Sequence, residues 1–159
     1  MKRIASVAAC MLAIALSATA AHAKDLPYDE HANASAELQQ ALHDARDTHK
    51  DVLLVFGANW CPDCRVLDTV LHGKGAEALG GRFVVVKVDV GNFDRNIDLA
   101  KRYEIPLNKG IPAAAVVSGD DRLLYVTKAG ELADAHRMGE SAIVDFLSHV
   151  AASATPEGR

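Results

Sequence analysis

Cysteine is scarce in this chain: three in 159 residues, one of them, Cys10, inside an apolar N-terminal run. A disulfide scaffold would carry more pairs closing longer loops, because a bridge across two residues hardly constrains the unfolded chain. A second Cys pair and a His-x₃₋₅-His spacing are both missing, which counts against a zinc site needing about four ligands. Arg65, not His, follows Cys64, which counts against covalent haem. Basic runs are missing too. With 17 basic against 21 acidic residues and a net charge of −4, the chain offers no electrostatic case for nucleic acid or an anionic membrane. Repeats and internal linkers are also lacking. No metal and no separate cofactor are expected.

The first residues have the three parts of a secretory signal peptide: basic Lys2-Arg3, an apolar stretch from Ile4 to Ala21, and Ala21-His22-Ala23. Cleavage after Ala23 removes Cys10 and leaves 136 residues, with 15 basic against 21 acidic side chains. Val7-Ala8-Ala9-Cys10 loosely resembles a lipobox, but too few apolar residues precede it. The mature size suits one domain. The expected organisation is a signal peptide over 1–23, an exposed arm over 24–33, one domain over 34–150 and a loose tail over 151–159.

Ser35 is placed to cap a helix reaching Thr48, with Leu38, Ala41, Leu42 and Ala45 on one face. Val52–Phe56 is a wholly apolar run suited to a strand covered on both faces, and Phe83–Val90, with apolar residues packed along it, is a second strand. Pro62 fits a first helical position, followed by an apolar stripe of Val66, Leu67, Val70 and Leu71. Asp94 can cap a helix from Arg95 to Tyr103. Ala113–Val117 and Leu123–Thr127 form a hairpin around Ser118-Gly119-Asp120-Asp121, and Ser141 can cap a last helix. The order α-β-α-β-α-β-β-α predicts an α/β fold, a mixed central sheet with helices on both faces.

Cys61 and Cys64 stand at the junction of the first strand with its helix. The first sulfur then meets unpaired N–H groups and the helix dipole, which favour its anion. Thiolate is the nucleophile, so Cys61 attacks and Cys64, one turn on, resolves.

Trp60-Cys61-Pro62-Asp63-Cys64 after an apolar strand, with Gly110-Ile111-Pro112 opening a later one, resembles the thioredoxin superfamily, in the style of exported bacterial members. The resemblance spans Val52 to Val150. It implies a thioredoxin-like fold, thiol–disulfide oxidoreductase activity, and a cis Ile111-Pro112 bond beside the disulfide. It further implies that Ile111 offers its backbone to an extended substrate segment. Pro106 is expected to be an ordinary trans proline. Asn59 and Trp60 are expected to shape the rim of the site, and His72 to be merely exposed.

Two departures stand out. The family's buried aspartate, six residues before the first cysteine, is Val55 here, and its accompanying lysine is expected to be replaced by Val85. Proton transfer to Cys64 then falls to water or to Asp63 or Asp68, although Asp68 also reads as a solvated helix-face carboxylate. Asp63, inside the motif, should repel a thiolate. That leans toward a thioredoxin-like potential of about −270 mV rather than the roughly −120 mV of strong oxidants. The function expected is therefore reduction or exchange of disulfides in periplasmic envelope proteins by a monomer supplied by a membrane thiol-transfer protein. A disulfide-donating oxidant, a copper-delivery protein and a binding module with incidental thiols remain the alternatives.

Overall fold

The structure, a computed structural model, describes residues 26–154. The expectations for the leader, for Cys10 and for residues 155–159 lie outside that range.

The chain folds as α1 (Ala34–Thr48), β1 (Asp51–Gly57), α2 (Pro62–Leu71), α3 (Lys74–Ala78), β2 (Phe83–Asp89) and α4 (Ile97–Arg102). A 3₁₀ turn (Leu107–Lys109), β3 (Ala113–Ser118), β4 (Leu123–Val126), α5 (Ala135–Met138) and α6 (Glu140–Ser153) complete it. The four strands lie in the order β2-β1-β3-β4, with β1 parallel to β2 and the other neighbours antiparallel. This is the expected mixed α/β sheet.

β1 is central and wholly buried, so its alternation serves two cores. Val52, Leu54 and Phe56 face the α1 and α4 side with Leu38, Leu42 and Leu99. Leu53 and Val55 face the opposite side with Leu67 of α2 and Ile143 and Leu147 of α6. At about 25 cal/mol per Å² of apolar surface removed from water, these two layers are the main stabilising term.

Helix starts depart from expectation. Asn33, not Ser35, caps α1, accepting the Ala36 N–H at 3.0 Å. Asp94 accepts the Asn92 N–H in a turn, and α4 begins only after Asn96, which is in the left-handed region. Gly139, not Ser141, precedes α6. Several polar residues near each start could have capped it, and packing of the apolar stripe chose among them.

Both ends are more ordered into the core than their composition implies. The arm is not uniformly exposed: Tyr28 is only 2% exposed and joins the α1-side core. The expected loose tail starts too early, since α6 runs to Ser153 with Ala151 and Ala154 buried.

Candidate active site

The β1–α2 junction is built from short-range constraints. The Cys61 N–H donates to the Ala58 carbonyl at 3.1 Å, closing a turn before Pro62 enters the first helical position. Cys61 is itself the N-cap of α2, and its Sγ accepts the Cys64 N–H at 3.1 Å. A sulfur in that place meets the donors that stabilise its anion when the pair is reduced. The two cysteines form a disulfide with Cα atoms 5.3 Å apart. Both are buried, Cys61 at 3% and Cys64 at 0% exposure.

Across the cleft, the Ile111–Pro112 bond is cis, as the resemblance implied, and Pro106 is an ordinary trans proline. The Ile111 carbonyl oxygen lies 3.5 Å from Cys61 Sγ. Trp60 is exposed at the rim, where its Nε1 donates to the Gly91 carbonyl at 2.8 Å and its ring meets Phe93 edge-on at 5.8 Å. An open, mainly apolar depression of about 540 Å³, lined by Phe93, Ile97, Leu107, Asn108 and Gly110, adjoins Trp60 through Phe93 and Ile111 through Gly110. Asn59 is not a rim residue. It is buried and holds the arm, accepting the Tyr28 N–H at 2.9 Å and donating to the Tyr28 carbonyl at 2.8 Å and to Glu30 at 2.9 Å.

Charge placement corrects three expectations. The family's lysine is not replaced by Val85, which pairs with Leu53 and is exposed. Lys87 stands opposite Val55 in the β1/β2 register and forms an ion pair with Asp68. Asp68 is therefore engaged rather than solvated, and it lies on α2 one turn beyond Cys64. Asp63 is not a free carboxylate facing the thiols: its Oδ1 accepts the His136 N–H at 2.9 Å and lies 2.6 Å from His136 Nδ1. Burial alone would raise the Asp63 pKa, but the two His136 contacts and the ring's charge outweigh it and hold the carboxyl below its ordinary value. His72 caps α2 and is exposed as expected, with Nδ1 2.8 Å from the Asp68 carbonyl.

Asp63, Asp134 and His136 bring three possible ligand atoms within 4.8 Å of one another. Asp63 already accepts a backbone N–H there, and Asp134 also pairs with Arg137.

Sequence reasoning missed Lys87, His136 and Tyr28. Lys87 was legible, as the one basic residue in the β2 run, had the register been counted from the strand starts. His136 lies 73 residues from Asp63 and carries no local signal. Tyr28, an aromatic in an otherwise polar stretch, was a cue to burial.

A family profile described as thioredoxin-like matches residues 33–119, more than half the chain. The chain belongs to the thioredoxin-like family. It is 50% identical to a solved structure described as a disulphide isomerase from Xylella fastidiosa Temecula1, with a TM-score of 0.76, covering 80% of this chain and 98% of that one. It is 33% identical over 86 residues to a thioredoxin of Buchnera aphidicola, covering 54% of this chain and 71% of that protein. Over 94 residues it is 34% identical to the thiol:disulfide interchange protein DsbD of Vibrio cholerae, covering 58% of this chain but 16% of that protein. Membership of the thioredoxin-like family, with a Cys-x-x-Cys pair at the start of α2, makes the chain a thiol–disulfide oxidoreductase.

Proposed function

We propose that this oxidoreductase works in the periplasm, reducing or exchanging disulfides of envelope proteins through Cys61 and Cys64. The observation that carries the reading is the Cys61–Cys64 disulfide at the N-terminus of α2, with the Ile111 carbonyl 3.5 Å from Cys61 Sγ. In the reduced protein the Cys61 thiolate attacks a substrate disulfide, forming a Cys61–substrate bond and releasing the first substrate sulfur as a thiolate. Cys64 gives up its proton and attacks Cys61 Sγ. The second substrate sulfur leaves, the Cys61–Cys64 bond closes, and both released thiolates take up protons. Two electrons have passed from the pair to the substrate, carried by the two sulfurs alone.

An extended substrate segment would lie against the Ile111 backbone, with an apolar side chain in the depression beside Phe93. Likeness to a disulphide isomerase and to part of an interchange protein supports exchange with protein thiols and resupply by a membrane thiol-transfer protein. The apolar N-terminal run ending Ala-His-Ala supports export. Because His136 occupies Asp63, thiolate repulsion no longer argues for a strongly reducing pair, and the direction of net flow rests on the likeness to interchange proteins.

Cys64→Ser in the native cell envelope should trap mixed disulfides through Cys61, and Cys61→Ser should abolish insulin reduction. Absence of trapped clients from the envelope fraction, or full activity in Cys61→Ser, overturns the proposal. Equilibration in glutathione and dithiothreitol buffers fixes the direction: a potential near that of strong oxidants, about −120 mV, would make the protein a disulfide donor.

A further inference from the structure

The residue at the end of β1 is glycine because two other groups occupy the space beside it. A methyl on Gly57 would overlap the Tyr28 hydroxyl and come within 2.9 Å of Cys64 Sγ. The phenol oxygen and the resolving sulfur therefore both lie against the place a Cβ would take at Gly57, in a part of the core where Tyr28 and Cys64 are both almost fully buried. Tyr28 is held there from outside by its paired backbone hydrogen bonds with Asn59, two residues before Cys61. Arg95 closes the strap by donating to the Glu30 carbonyl at 2.6 Å. Val55, two residues before Gly57 on the same face of β1, supplies no polar atom.

We propose that the Tyr28 hydroxyl donates the hydrogen bond that stabilises the Cys64 thiolate in the resolving step, a service Val55 cannot provide. The inference rests on the oxidoreductase reading above. Once the mixed disulfide between Cys61 and substrate has formed, Cys64 is a buried thiol, and burial disfavours its anion. Its proton passes to water, the anion accepts the phenolic O–H, and Cys64 Sγ attacks Cys61 Sγ. The bond from Cys61 to the substrate sulfur breaks as the Cys61–Cys64 bond forms, and the substrate leaves as a thiolate that takes a proton from water. Tyr28 keeps its own proton throughout. Burial, aided by the nearby charges of Asp68 and Asp89, pushes the phenol's pKa up, so it remains a donor over the whole working range.

The test uses Tyr28→Phe, which keeps the ring and removes the hydroxyl. Reduced protein is mixed with a chromogenic aryl disulfide, whose two thiols are released in successive phases, the first by Cys61 and the second by Cys64. The first phase should match wild type. The second should be about tenfold slower at neutral pH, with its pH profile displaced upward by about one unit, the effect of losing one charge-assisted hydrogen bond. A second variant carries fluorotyrosine at position 28. Its more acidic phenol is a stronger donor and should displace the same profile downward, and it decides the matter if Tyr28→Phe does not fold. Second-phase profiles that superimpose on wild type in either folded variant overturn the inference while leaving the oxidoreductase reading intact. Absence of the first phase in wild type would defeat that reading instead.

Discussion

Replacing Lys87 by Met should destabilise the protein by about 1–3 kcal/mol, because it leaves Asp68 without its cation in a largely desolvated place. The two side chains are 25% and 21% exposed. Opposite unit charges about 3 Å apart attract by roughly 5–6 kcal/mol at an effective dielectric constant near 20. Lost hydration and side-chain entropy offset much of that. Exposed pairs return about 0–1 kcal/mol, whereas removing one partner of a buried pair costs about 3–5. A pair three-quarters buried lies between. Met retains most of the aliphatic stem of lysine, so packing against Val55 is little changed. Asp68→Asn removes the other charge, and the double variant should recover much of the loss, giving a coupling energy of about 1–2 kcal/mol. Urea denaturation of all four proteins measures it, with the midpoint moving at constant slope. The cycle should be run on oxidised and reduced protein. Asp68 stands one helical turn beyond Cys64, and leaving its charge unpaired disfavours a thiolate there, so Lys87→Met should cost the reduced form more. Each 1.4 kcal/mol of difference lowers the potential by about 30 mV. A coupling energy below about 0.3 kcal/mol in both forms would refute this account of Asp68 and Lys87.

His136→Ala removes the ring's hydrogen bond and charge from Asp63 while keeping the backbone N–H that Asp63 accepts. A carboxyl whose folded-state pKa is held down stabilises the protein above its unfolded value, near 3.9, and loses that contribution as pH falls through the folded value. The stability gap between wild type and His136→Ala should therefore be open at about pH 5–6 and close on acidification below about 4, read by urea denaturation at each pH; a gap constant through the acid range would defeat the assignment. Gly57→Ala should cost about 1–3 kcal/mol by overpacking, and combining it with Tyr28→Phe should cost less than the sum of the two singles, since the hydroxyl is one of the displaced atoms. Strict additivity in chemical denaturation would show that the methyl meets something else.

The sheet, its flanking helices and the reactive pair were legible because each rests on a local pattern. β1 and β2 are mostly apolar runs, α1 repeats its apolar residues at helical spacing, and Cys61, Pro62 and Cys64 stand together at one helix start. What was not legible depends on contacts distant in sequence. Asp63 looked like a free charge beside a thiol until α5 supplied His136, and Lys87 became the neighbour of Val55 only through strand register. Tyr28 lay in a segment whose polar composition argued for solvent, yet one aromatic anchored by Asn59 outweighed its neighbours. Capping failed for a different reason: Asn33 and Ser35 are both good capping types, and choosing between adjacent candidates needs the packing of Leu38 and Leu42.

The strap also imposes an order of assembly. Tyr28 meets its partner Asn59 across 31 residues, and Glu30 meets Arg95 across 65. Since closing long loops costs entropy before the contact returns anything, β1 and α2 can bring Cys61 and Cys64 together well before the arm is seated over them. The arm is the earliest part of the described chain to be synthesised, yet it cannot be seated until residues 59 and 95 have followed it. The two cysteines thus become neighbours in an open setting, where either sulfur can be oxidised or exchanged. The insertion of Tyr28 later converts that accessible pair into one whose resolving sulfur is buried beside a phenol.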